Sequence, residues 1–128
     1  MSQACILIVE DERIIALDLR GKVQRMGHCV AGMAHSGPDA VRMARELNPD
    51  LVLMDIILGG EMDGVEAARH IRQERDVPVL FVSACNDPAT KERANDIGSR
   101  GFVSKPVDAK ELSQRIQAAL NGSGPCVS

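Results

Sequence analysis

Apolar runs of four or five residues, each cut short by a polar side chain, recur along this chain. Between them, apolar positions return every three or four residues. The run Leu51-Val52-Leu53-Met54 follows Pro49-Asp50 and ends at Asp55, which predicts a strand buried on both faces at the centre of a parallel sheet. Ala4 to Val9 predicts a second buried strand, ended by Glu10-Asp11-Glu12, acids that open a helix with negative charge at its positive end. Ile15, Leu19, Val23 and Met26 then recur at helical spacing until Gly27. Cys29 to Ala34 reads as a third strand, and Ser36 with Pro38-Asp39 starts a helix whose inward residues are Ala40, Val41, Ala44 and Leu47. Asn48-Pro49 ends it.

The second half repeats the alternation. After the loop Ile56 to Met62, Asp63 caps a helix with Glu66 in the capping-box position and Val65, Ala68 and Ile71 facing inward. Pro78 introduces the strand Val79 to Val82, ending at Ser83. Asp87-Pro88 is a cap followed by a proline in the first turn, and that helix runs to about Ile97. Its apolar face is thin, so it is expected to be the most mobile. Gly98 to Gly101 turns into the strand Phe102 to Ser104, which leads to Lys105-Pro106. Asp108 and Glu111 cap a last helix with Leu112, Ile116 and Leu120 inward. Five strands alternate with five helices, which predicts a (βα)5 doubly wound parallel sheet. Residues 1–121 are expected to form one domain, and residues 122–128 a disordered tail or linker.

Composition narrows the function. A net charge of −3 gives no general attraction for nucleic acid, and no apolar run approaches the length of a membrane span. With no charged-then-apolar leader either, the reading is a soluble cytoplasmic protein without direct nucleic-acid or membrane partners. Phe81 and Phe102 are the only aromatic residues, which argues against a stacking platform for bases or a flavin. Cys5, Cys29, Cys85 and Cys126 form no zinc-type spacing; Cys5 and Cys29 are expected to be buried, reduced thiols.

The polar residues at the strand ends carry the chemistry. Glu10-Asp11, Asp55, Ser83 and Lys105 end different strands and, in a parallel sheet, share one edge. Three carboxylates there repel by ~1–4 kcal/mol per pair, so positive charge must compensate. Lys105 supplies one charge, and a hard divalent cation such as Mg²⁺, with Mn²⁺ as a substitute, suits the rest. A carboxylate in such surroundings can act as a nucleophile toward phosphorus, and central Asp55 is the best placed.

Taken together, the acid pair Glu10-Asp11, the strand Pro49 to Asp55, the Met62-Asp63-Gly64 helix start, Ser83-Ala84 and the run Gly101 to Pro106 resemble the receiver domain of two-component response regulators. The likeness spans Ile6 to about Leu120 and points to the stand-alone, chemotaxis-regulator-like type. It implies a flavodoxin-like sheet of order 2-1-3-4-5. It also implies that Asp55 accepts a phosphoryl group from a phosphohistidine on a sensor histidine kinase or histidine phosphotransfer protein. Asp11, Asp55 and the Ile57 carbonyl would ligate Mg²⁺, with Glu10 acting through water. Ser83 and Lys105 would hold phosphoryl oxygens, Ser83 and Phe102 would form the switch, and the Lys105-Pro106 bond would be cis. The readout would lie on the fourth helix, fifth strand and fifth helix, where a downstream protein would bind.

Two departures stand out. The loop after Asp55 is one residue longer than the common pattern, between Leu58 and Met62, with Gly59-Gly60 where Pro-Gly is usual. Ile57 and Cys85 occupy the positions flanking the attacking water in this family and orient water poorly, which predicts slow dephosphorylation. The alternatives are a receiver excised from a longer regulator or hybrid kinase, an aspartyl-phosphate phosphatase, and a flavodoxin-type electron carrier. The phosphatase reading lacks a second acid at Ile57; the electron carrier lacks a Ser/Thr-rich phosphate loop after the first strand.

Overall fold

The computed structural model describes residues 3–84 and 87–121. Ten elements alternate: β1 (Cys5–Val9), α1 (Arg13–Arg25), β2 (Cys29–Ala34), α2 (Gly37–Leu47), β3 (Leu51–Asp55), α3 (Gly64–Glu74), β4 (Val79–Ser83), α4 (Pro88–Asp96), β5 (Phe102–Ser104) and α5 (Ala109–Leu120). All strand pairs are parallel and the order is β2-β1-β3-β4-β5, the flavodoxin-like arrangement expected. Every residue of β3 and β4 is buried, which is why both read as unbroken apolar runs.

Alternation of side chains along the strands splits the core in two. Leu7, Val9, Val52, Met54 and Phe81 face α2, α3 and α4, while Ile6, Ile8, Leu53, Leu80 and Val103 face α1 and α5. Each fully buried Leu, Ile or Phe contributes about 1.5–3 kcal/mol, so the two layers hold the strand ends in register. Side-chain caps start four of the helices. Ser36 Oγ accepts from the Asp39 N–H (3.2 Å), Asp63 Oδ1 from Glu66 (2.9 Å), Asp87 Oδ1 from Ala89 (3.4 Å) and Asp108 Oδ2 from Glu111 (2.9 Å).

Three expectations are corrected. Cys5 is exposed and Cys29 half-buried: they are the first residues of β1 and β2, at the sheet edge opposite the acids, and the buried stretch of β1 starts only at the next residue. Leu47, the last residue of α2, lies over edge strand β2 at Gly32 and keeps one side in water. Glu10 and Asp11 do not act as first-turn charges for α1: the helix begins at Arg13, its first turn holds no acid, and Glu12 makes no side-chain cap. The thin face of α4 holds one buried residue, Ala94. Among the described residues, no helix is long and apolar enough to cross a membrane. The expected tail, residues 122–128, lies outside the described residues.

Candidate functional site

Because the strands run parallel, their carboxyl ends meet at one edge. Glu10 and Asp11 follow β1, Asp55 ends β3, Ser83 ends β4, and Lys105 follows β5. The Lys105 N–H donates to the Ser83 carbonyl (3.1 Å), which fixes the exit of β5, and the Lys105–Pro106 bond is cis. From there the Lys105 Nζ donates to Glu10 Oε1 (2.7 Å) and Asp55 Oδ2 (3.1 Å).

The three acids hold different positions. Glu10 is fully buried: its N–H donates to the Ala34 carbonyl (3.0 Å), its own carbonyl accepts from Nδ1 of His35 (2.9 Å), and its Oε2 accepts from the Glu12 N–H (3.1 Å). Asp11 is exposed, and its Oδ2 accepts from the Gly59 N–H (3.2 Å), tying the loop after β3 across the site. Asp55 is 5 % exposed, and its Oδ1 accepts from the Ile57 N–H (3.2 Å). One carboxylate oxygen from each acid lies within 4.8 Å of the other two.

Burial pushes the Asp55 pKa up to about 6; the charge of Glu10 adds to the rise, and Lys105 opposes it. For Lys105, burial works against the charged form. The hydrogen bonds and charges of Glu10 and Asp55 outweigh it, so its pKa lies above the ordinary value. Three acids facing one ammonium leave the cluster negative, and the donors are all hard oxygens. That set fits a divalent cation of the magnesium type.

Some contributions are not read from the sequence: His35, Ile14 and Leu17 are not singled out there, and Gly64 and Ile57 are named for other reasons. His35 anchors the backbone of Glu10 and carries no motif that would single it out. Gly64 packs on the end of β3: a Cβ there would lie 2.0 Å from the Asp55 carbonyl oxygen and 2.8 Å from Ile56 Cα. Its N–H donates to the Ile56 carbonyl (2.7 Å), so the start of α3 supports the Asp55 turn. Ile14 (83 % exposed), Leu17 and Ile57 (60 %) leave apolar surface open to water. Ile14 and Leu17 fall off the helical stripe of Ile15, Leu19 and Val23, which is the signal that could have marked them. A cavity of about 500 Å³, lined by Ile15, Leu19, Ala84, Lys105, Pro106 and Val107, reaches the site lysine.

Ser83 is buried at the end of β4. Phe102 is half-buried and stacks on Phe81 with ring centroids 5.7 Å apart, and the Lys91 ammonium lies 5.9 Å from its ring. Cys85 lies outside the described residues.

Comparison with known proteins identifies the family. Residues 6–117 match the response regulator receiver domain, and the chain belongs to that family. It is 36 % identical over 115 residues to the transcriptional regulatory protein AfsQ1 of Streptomyces coelicolor, covering 90 % of this chain and 50 % of that protein. Against the transcriptional regulatory protein PdtaR of Mycobacterium tuberculosis it is 34 % identical over 116 residues, covering 91 % and 56 %. The chain thus spans about half the length of these relatives. Among solved structures, the signal receiver domain of a modulated diguanylate cyclase from Desulfovibrio desulfuricans superposes with a TM-score of 0.89. It shows 36 % identity, and the match covers 94 % of this chain and 96 % of that one. The protein is therefore a two-component response regulator receiver domain, in a family of signalling rather than catalytic modules.

Proposed function

We propose that Asp55 accepts a phosphoryl group from a phosphohistidine on a sensor histidine kinase or histidine phosphotransfer protein, and that the domain then signals through α4, β5 and α5. The observation that carries this reading is the Lys105 ammonium bridging Asp55 (3.1 Å) and Glu10 (2.7 Å) within a cluster of three acids. One Asp55 carboxylate oxygen attacks phosphorus, the phosphorus–nitrogen bond to the donor imidazole breaks, and the imidazole leaves with that electron pair. Lys105 and the Ser83 hydroxyl hold the phosphoryl oxygens as charge moves onto Asp55. Asp11, Asp55 and the Ile57 carbonyl would hold Mg²⁺ or Mn²⁺, with Glu10 acting through water. The ion, when bound, would neutralise phosphoryl charge.

The exposed apolar side chains of Ile14, Leu17 and Ile57 suit docking of a donor helix carrying the phosphohistidine. Ile57 and Cys85 supply no water-orienting group, so the phosphorylated state is slow to hydrolyse. Phosphate release from the isolated domain within seconds would overturn that part. Switching through Ser83 and Phe102 would bury the half-exposed Phe102 ring more deeply. We place the domain in the cytoplasm, with no direct role for nucleic acid or membrane.

Incubation with acetyl phosphate and Mg²⁺, followed by intact mass measurement, tests the central claim. One phosphate is expected on the native chain and none on Asp55→Asn. Turnover of many phosphodonor molecules without a retained phosphate would instead indicate an aspartyl-phosphate phosphatase. A second reading concerns context. The coverage of only about half of AfsQ1 and PdtaR favours a receiver module within a longer regulator over a stand-alone one. The full reading frame separates the two.

A further inference from the structure

At the opposite edge of the sheet from the acids, two thiols face each other. Cys5 and Cys29 are register partners on the neighbouring parallel strands β1 and β2. Ile6 and Val30, the next residues along, both enter the core on the α1/α5 side, so Cys5 and Cys29 share the other face of the sheet. The neighbouring Cys29 thiol, ahead of burial and of Asp50, pushes the Cys5 pKa up. The backbone around the pair is fixed: the Cys5 N–H donates to Asp50 Oδ2 (2.8 Å) and the Cys29 N–H to the Ala4 carbonyl (2.8 Å). Cys5 is exposed and Cys29 half-buried, so a small reagent reaches the first while the second waits beside it.

We infer that Cys5 and Cys29 form a dithiol modification site that closes reversibly into a disulfide by exchange with a low-molecular-weight disulfide such as oxidised glutathione. Neighbouring strands sit about 4.8 Å apart, within the roughly 4.4–6.8 Å between the Cα atoms of bridged cysteines; a bridge also brings the Cβ atoms to about 3.5–4.5 Å, so closure draws the first residues of the two strands slightly together. The Cys5 thiolate attacks one sulfur of the reagent, whose sulfur–sulfur bond breaks to expel one thiolate. The Cys29 thiolate then attacks the Cys5 sulfur of the mixed disulfide and expels the second. Two electrons pass from the protein to the reagent, which leaves as two thiols carrying the two protons lost by the cysteines. Because β2 is an edge strand, the product fastens the free margin of the sheet to β1. The phosphoacceptor edge takes no part, so the inference stands apart from the function proposed above.

The test is incubation of the full native chain with oxidised glutathione, followed by intact mass measurement and non-reducing peptide mapping. The expected product has lost two hydrogens, joins the Cys5 peptide to the Cys29 peptide and reverts with a phosphine reductant. The glutathione adduct should stay below about a tenth of it, since the second step is intramolecular. Cys29→Ser should instead accumulate the glutathione adduct at Cys5. A native chain that retains the adduct, does not react, or forms its bridge through Cys85 or Cys126 overturns the inference.

Discussion

The acids of this site are neighbours in sequence or alike in kind, yet their surroundings separate them. Asp55 has its pKa raised from 3.8 to about 6, chiefly by burial. A raised carboxylate pKa means that the folded state prefers the neutral acid. Its contribution to stability is full below about pH 4 and is lost as pH rises through about 6. With a chelator present, Asp55→Asn should therefore be more stable than the native chain at pH 7, by about 3 kcal/mol, and should gain nothing below pH 4. Urea titrations at several pH values measure this, and an equal gain at all pH values would contradict it. Lys105 works the other way. Lys105→Met leaves Glu10 buried and without its ammonium, and should lower stability at pH 7 by about 3 kcal/mol. It should also reduce phosphate uptake from acetyl phosphate. An unchanged denaturation midpoint would show that Glu10 does not depend on the amine.

At the scale of elements, the junction of β3 with α3 matters most. Residue 64 has no room for a side chain, because the obstacle is the carbonyl of Asp55 itself rather than a flexible side chain. Gly64→Ala should lower stability by about 2 kcal/mol or more and shift the acceptor, reducing phosphate uptake by more than the stability loss explains. Asp63→Ala removes the cap of the same helix and the ion pair to Arg93. It should cost about 1 kcal/mol and leave the Asp55 turn in place. Comparing the two variants by denaturation and by intact mass separates support of the site from support of the helix. Equal loss of phosphate uptake in both would contradict the distinction.

For the whole molecule, the proposed function requires that an added phosphate bias two arrangements of one fold. Moving a population from 1:99 to 99:1 requires ~5.5 kcal/mol of preference, which contacts to Ser83 and Lys105 made only after phosphorylation could supply in large part. The single buried residue of α4 leaves that helix weakly held, a suitable movable part. Hydrogen exchange with and without acetyl phosphate and Mg²⁺ should change chiefly over residues 88–120. Changes confined to β1 and β2 would contradict an output on α4, β5 and α5.

Much of the fold was legible in the chain because its causes are local. Unbroken apolar runs make doubly covered strands, helical stripes make the layers that cover them, and Asp or Ser caps mark where four helices start. With strands all parallel, the polar residue ending each run had to reach the same edge, so Asp55, Ser83, Lys105 and the Glu10-Asp11 pair could be named together. Tertiary structure decided what adjacency in sequence leaves open. Glu10 is sealed in the core and Asp11 is in water because a lysine from a distant strand and the backbone of β2 close around one and not the other. The same packing makes Gly64 irreplaceable and leaves Cys5 exposed at the start of β1. These properties depend on which surfaces meet across the sheet, and no local pattern of residues encodes that.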